Sequence, residues 1–326
     1  MIARPAASPA ALATELAAHG YIVDDALAMT TYLALRMQRP LFLEGAPGVG
    51  KTLLASVLAA VFDTRLIRLP CYEGLDLAQA AYEWNYPRQL LALQAHGRRP
   101  RDADAPDEPD EGELANLYRE AFLMRRPLLQ AIDAAADRAP VLLIDEIDRA
   151  DEEFESFLLE LLGEFQITIP ELGTLVARHR PIVVLTSNRT RDVHDALKRR
   201  CLYHWIEYPT FATELEIVRR KVPALADALR RRVVAFVQRL RREDLSKLPG
   251  VAETVDWAEA ISYVTAAGAG ALEPATVDAT LGLLLKYHDD IERVRGSRVA
   301  VLLAESVASP GSAGARSTPE GSAESA

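Results

Sequence analysis

The octapeptide GAPGVGKT (45–52) has the G-x-x-x-x-G-K-[ST] spacing with which a backbone can wrap an anion. Gly45, Gly48 and Gly50 permit turns that aim successive N–H groups inward, and Ala46, Pro47 and Val49 complete the loop. Lys51 is placed to reach the β- and γ-phosphates of a nucleotide, and Thr52 to offer its hydroxyl to Mg²⁺. With Leu53 they open the helical run TLLASVLAAVF, whose positive end would face the same anion. A second group supplies what hydrolysis would need. VLLIDEID (141–148) is an apolar run ending in two carboxylates: Asp145 can serve the Mg²⁺ shell, and Glu146 can polarise an attacking water. Asp145, Asp148 and Asp151 could also act as helix caps. Together the two motifs predict hydrolysis of a nucleoside triphosphate, ATP.

Two further stretches carry polar chemistry. LTSN (185–188) closes another apolar run, and Asn188 at its tip can hydrogen-bond both a γ-phosphate and the attacking water, although Asn also serves turns after strands. DALKRRCLYHW (195–205) sets Lys198, Arg199 and Arg200 against Cys201 and His204. A metal site there is disfavoured, because Cys201 and His204 differ by an odd offset on an expected strand and His194 lies across a helical turn. Tyr203 and Trp205 are read as packing in that strand. A solvated helix end remains one use of the cations, and a guanidinium reaching a phosphate is the other.

These residues need a frame that brings strand ends together. LFLE (41–44), RLIRLP (65–70), VLLID (141–145), PIVVLTS (181–187) and LYHWIEY (202–208) are short, β-rich runs, the first four nearly continuous in apolar residues, as parallel strands buried on both faces are. Helical patterns separate them, most clearly at 151–165, where Phe154, Phe157, Leu158, Leu161, Leu162 and Phe165 recur at spacings of three and four. The pattern predicts βαβ units in an α/β fold with a parallel sheet. After about residue 209 the strands stop and the chain reads as helices. The expected organisation is a flexible arm (1–14), an α/β domain (15–208) with an exposed acidic loop (98–113), a helical domain (209–300) and a disordered tail (301–326).

Composition narrows the function. The 326 residues are 49% apolar with a formal net charge of −10, so general nucleic-acid binding is disfavoured, while a local basic site is not. The basic run 230–242 carries Val233, Val234, Phe236, Val237 and Leu240, and reads as a helix with one buried side. Only Cys71 and Cys201 are present, which fits a reducing compartment, and no window approaches 18 consecutive apolar residues. A soluble, cytoplasmic protein without a transmembrane segment is expected. Cys71 is read as a small packing residue, and Tyr72, Tyr82 and Trp84 as candidates for gripping a client.

Phosphate loop, strand-terminal Asp-Glu, strand-terminal Asn, basic turn and helical end follow one another in the order of AAA+ ATPases. LEGAPGVGKT and LIDEIDRADEEFESFLLELLGEF, with a β-hairpin in FQITIPELGTLVARHRPIVVLTSN, resemble the MoxR family; CYEGLD…YEWNY, SNRTRDVHDALKRRCLYHW and VAETVDWAEAI are similar to its CoxD branch. The resemblance implies an AAA+ P-loop core with a parallel five-stranded sheet, followed by a small all-helical lid whose angle changes on hydrolysis. It implies a homo-oligomeric, hexameric ring with ATP sites between subunits, and a von Willebrand factor A-domain partner protein. The implied metalloenzyme client is the molybdenum–copper carbon monoxide dehydrogenase, whose maturation the ring would assist. It further implies that an arginine before the last strand completes a neighbour's site: Arg200, with Arg199 second. Lids of this kind often carry an arginine that senses the γ-phosphate; the matching stretch VAETVDWAEA holds none. A nucleic-acid-dependent motor, such as a clamp loader or helicase, and a passive nucleotide-binding scaffold are the competing classes.

Overall fold

The apolar runs become strands because each can bury side chains on two faces at once. The computed structural model describes residues 6–96, 117–132, 138–266 and 272–308. Among them the strands are β1 (Leu41–Gly45), β2 (Leu66–Pro70), β3 (Tyr82–Trp84), β4 (Leu123–Arg125), β5 (Val141–Asp145), β6 (Gln166–Ile169), β7 (Gly173–Val176), β8 (Ile182–Ser187) and β9 (Leu202–Ile206). Five of these form one sheet in the order β2-β5-β8-β1-β9, all parallel. The register Leu69↔Ile144↔Leu185↔Phe42 lines up four apolar residues across the sheet. They pack in one core with Leu158, Leu161 and Leu162 of the helix Glu152–Glu164. Alternation sends Leu41, Leu43, Val141, Leu143 and Val184 to the opposite face, where they are also buried. The helix Lys51–Val61 packs on β1, β2, β5 and β8.

A parallel sheet gathers the carboxyl ends of its strands on one edge, where ligands of open α/β sheets bind. Gly45 ends β1 there, Asp145 ends β5 and Ser187 ends β8. Gly45 also runs tight against β9: a Cβ on it would lie 2.4 Å from the Ile206 carbonyl oxygen.

Two small antiparallel ribbons accompany the sheet. β6 and β7 form the hairpin, with Gly173 at φ +79° beside its turn. β3 pairs with β4 across a long stretch of chain, a pairing absent from the sequence reading.

The chain divides into two compact units, with the break between Glu207 and Tyr208. Among the described residues the second unit is entirely helical. Val233, Phe236, Val237 and Leu240 of the helix Asp227–Leu240 pack with Trp257, and the Phe236 and Trp257 rings stand 5.3 Å apart. An ion pair lies inside this unit. Arg241 donates to Glu214 Oε2 at 2.7 Å and Oε1 at 2.6 Å, its Nε bonds the Pro249 carbonyl at 2.7 Å, and both side chains are buried. Thr254 and Gln238 fill the remaining lone pairs of Glu214.

Two sequence boundaries are corrected. Residues 9–14, read as part of a flexible arm, belong to the helix Pro9–Ala18, capped by Ser8 and anchored by Leu12 and Leu16, both 0% exposed. Residues 301–308, read as disordered tail, continue the helix Ser297–Ala308, because Val299, Leu302, Leu303 and Ser306 fall on one buried side. The acidic loop 98–113, residues 1–5 and the tail from 309 lie outside the described residues.

Replacing Arg241 by Ala would leave the Glu214 carboxylate buried without its cation, a loss of about 3–5 kcal/mol in the stability of the second unit. Denaturant unfolding followed by Trp257 fluorescence measures it. The double change Glu214→Leu/Arg241→Met should recover most of the loss, and equal losses in both variants would show that packing, not charge, dominates.

Candidate active site

The phosphate loop is shaped for an anion. Gly48 (φ +78°) and Gly50 (φ +98°) hold left-handed conformations that a side chain would strain. Gly50 also stands at the N-cap of the helix Lys51–Val61 with no side chain bonded to the first turn, whereas Asp24, Asp76 and Asp151 cap the helices that follow them. The open N–H groups are therefore free for a phosphate. Lys51 is buried and folds back, its Nζ donating to the carbonyls of Gly45 (2.7 Å) and Ala46 (2.8 Å). Burial pulls its ammonium from 10.5 down to about 8, against the opposing pull of Asp148, Asp145, Glu146 and Glu44. Pro47 and Leu53 are exposed, while Val49 is buried under the loop.

Asp145 is buried and fully bonded. Its Oδ1 accepts from the hydroxyls of Thr52 (2.9 Å) and Thr186 (2.7 Å), and its Oδ2 from Arg68. Thr52 and Asp145 thus meet in space across 93 residues of chain. Their oxygens are the hard donors that suit a small divalent cation.

Glu146 takes a left-handed backbone (φ 57°) that turns its side chain out from the end of β5. Its N–H bonds Thr186 Oγ1 at 2.9 Å, and its carboxylate accepts from Asn188 Nδ2 (3.1 Å) and Arg149 Nε (2.9 Å). Glu146 therefore has two side-chain partners. Asp148, also buried, receives the N–H groups of Asn188 (3.2 Å) and Thr190 (2.8 Å) and the Thr190 hydroxyl (2.7 Å). On the neighbouring strands, buried Glu44 accepts from Ser187 (3.1 Å) and Tyr203 (3.0 Å), tying together the ends of β1, β8 and β9.

Lys198, Arg199 and Arg200 occupy the last turn of the helix Asp195–Arg200. Arg39 closes that end, donating to the carbonyls of Arg199 (2.7 Å), Arg200 (3.2 Å) and Cys201 (3.3 Å). Arg200 bonds the Leu159 carbonyl. The Arg199 side chain is exposed and makes no hydrogen bond or ion pair among the described residues. Nothing in the sequence marks Arg39, which acts across about 160 residues.

Two other residues differ from their sequence reading. Tyr203 lies on the edge strand with 47% of its surface exposed instead of packing in the core. Trp84, read as a client grip, is buried against Tyr118 and unavailable to a client. Cys71 and Cys201 are buried thiols pushed up to about 12 by desolvation, which makes both inert. Among the described residues no group of three His, Cys, Asp or Glu could hold a metal, and no helix is long and apolar enough to cross a membrane.

A phosphate that bonds Lys51 requires the ammonium form. Affinity for a nucleoside triphosphate is therefore full below pH 8 and falls as pH rises through it, by about tenfold between pH 7 and 9. Equilibrium titration with a fluorescent triphosphate measures this, and a flat profile over that range would mean that Lys51 stays charged.

Comparison with known proteins now meets this geometry. Residues 40–201 match the family model of the AAA domain, dynein-related subfamily, a span running from just before β1 to just before β9. Among solved structures, a Cytophaga hutchinsonii protein described as a candidate ATPase aligns at 15% identity with a TM-score of 0.43, over 86% of this chain and 82% of that one. A likeness at that level carries no residue assignment. The loop, the Asp145–Glu146 turn, Asn188 and both arginines fall inside the matched span. Residues 40–201 form an AAA domain of the dynein-related subfamily, and the chain that carries it is an ATP hydrolase.

Proposed function

We propose that this chain is a MoxR-type AAA+ ATPase of the CoxD-like branch, working in the cytoplasm as a homo-oligomeric, hexameric ring. It couples ATP hydrolysis to remodelling of a metalloenzyme client, the molybdenum–copper carbon monoxide dehydrogenase, beside a von Willebrand factor A-domain partner. The hydrolytic part rests chiefly on one observation: Thr52 bonds Asp145 while the next residue, Glu146, bonds Asn188. The client and partner rest on the sequence resemblance in CYEGLD…YEWNY and SNRTRDVHDALKRRCLYHW.

In this reading Lys51 leaves the Gly45 and Ala46 carbonyls for the β- and γ-phosphates, and the N–H groups of 46 and 48–53 line the same anion. Thr52 and Asp145 hold Mg²⁺, which when bound neutralises charge on the transferring phosphate. Glu146 accepts the proton of the attacking water on its carboxylate, and Asn188 Nδ2 keeps that carboxylate aimed. Arg200, or Arg199 beside it, stabilises the γ-phosphate of the adjoining subunit with a fixed charge and a planar fork.

Glu146→Gln should bind ATP with near-normal affinity and lose about 10²–10⁴ in kcat. Rapid hydrolysis by that variant would remove Glu146 as the base. Arg200→Ala should bind ATP, fail to turn it over alone, and regain turnover when mixed with Glu146→Gln, because each subunit then supplies what the other lacks. If Arg199→Ala behaves this way and Arg200→Ala does not, the finger is Arg199; if neither is rescued, no arginine here reaches across. The client assignment fails if the ATP-locked Glu146→Gln protein retains neither the purified dehydrogenase nor the von Willebrand factor A-domain partner.

A further inference from the structure

Asp145 is held unevenly. Its Oδ1 is shared by two hydroxyls on rigid elements, Thr52 and Thr186. Its Oδ2 is held by Arg68 alone, through Nε at 3.1 Å and Nη2 at 2.5 Å. The two partners differ in freedom as well: the Asp145 side chain is 5% exposed and that of Arg68 is 57% exposed. Arg68 lies on β2, at the edge of the sheet, and its side chain makes no other hydrogen bond among the described residues. Its register partner is Leu143, two residues before Asp145, so both side chains leave the sheet on the same face one pleat apart.

A carboxylate this buried is costly without a counter-charge. Lys51 attracts it through space but does not bond it, its Nζ donating to the Gly45 and Ala46 carbonyls. We propose that Arg68 is an exchangeable counter-ion of Asp145: it occupies Oδ2 while the site lacks a divalent cation and swings to solvent when one arrives. This rests on the reading that Asp145 serves the metal. Thr52 can keep donating to Oδ1 while its own lone pairs face the ion, so only the exposed partner has to move. Metal alone must compete with a bonded guanidinium, whereas metal carried by a triphosphate brings phosphate oxygens that offset the exchange. Arg68 therefore makes divalent-ion binding conditional on nucleotide.

Mn²⁺ binding to the full chain, followed by electron paramagnetic resonance without nucleotide, tests this directly. Arg68→Gln should bind Mn²⁺ about tenfold more tightly than the parent, a contact charge having been removed. Arg68→Lys should stay near the parent value. Arg65→Gln, which removes an equal charge from a guanidinium bonded to the Gln130 carbonyl, should change affinity by less than about twofold. Unchanged or weaker Mn²⁺ binding by Arg68→Gln, with its fold verified by circular dichroism, would overturn the proposal and make Arg68 a fixed tie between β2 and β5. If Asp145→Asn binds Mn²⁺ with ATP as tightly as the parent, the assignment of Asp145 to the metal fails instead.

Discussion

A carboxylate buried at the end of a central strand is costly unless the groups around it donate to it. Asp145 closes β5, which lies between β2 and β8, and receives bonds from four donors on three other elements. Thr52 brings the phosphate loop's helix, Thr186 brings β8 and Arg68 brings β2. The backbone joins in, the Asp145 carbonyl accepting the Cys71 N–H at 2.8 Å. Desolvation makes these bonds compulsory. The loop, the strand ends and the proposed metal ligand are thereby held in one arrangement before any nucleotide enters, which is the preorganisation that phosphoryl chemistry depends on.

The same strand ends connect the proposed base to its neighbour. Thr186 donates to Asp145 and accepts the Glu146 N–H, so one hydroxyl fixes the residue on each side of that peptide bond. Two residues on, Asn188 meets the Glu146 carboxylate with its side chain and the Asp148 carboxylate with its backbone. The turn after β5 and the turn after β8 are consequently joined by a closed set of bonds. Asn188 thus bonds the carboxylates of both Glu146 and Asp148, and Asp148 in turn receives the Thr190 N–H. Arg149, more than half exposed, is the one member of this set held mainly by charge.

Much of this is written in the chain because its physics is local. Strands buried on both faces are largely apolar, so β1, β5 and β8 appear as nearly continuous apolar runs that turn polar only at their ends, and a loop that wraps phosphate must spend glycines at fixed places. What escapes is whatever depends on distant closure. β3 and β4 are three residues each and become strands only by pairing with one another. Arg68 and Arg39 look like ordinary surface cations, and their roles follow from a register and a helix end that spacing does not encode. Tyr203 misleads for a related reason: an aromatic in a β-rich run suggests a core, and only the strand order puts it at the edge. In the second unit VAETVDWAEA offers no arginine where the resemblance would place a sensor. Thr254 from that stretch instead donates to Glu214 inside the buried pair, so the position is committed to packing and charge balance.

The two arginines proposed to act on a neighbouring subunit start from one pinned base and differ in their side chains. Arg39 fixes the carbonyls at the end of the helix Asp195–Arg200, so the backbone presenting Arg199 and Arg200 does not need to be ordered on assembly. Arg200 lies across Gly163 onto the Leu159 carbonyl, and a Cβ at Gly163 would stand 2.1 Å from its Nη1. That glycine leaves a berth for the guanidinium, and the resting pose holds the side chain folded on its own subunit. Arg199 has no such berth. A carbonyl is a neutral acceptor, however, and a phosphate oxygen makes a charge-assisted bond about twice as strong. The bond to Leu159 is therefore compatible with the proposed role of Arg200, and gives it what Arg199 lacks: a defined position that a γ-phosphate would have the strength to displace.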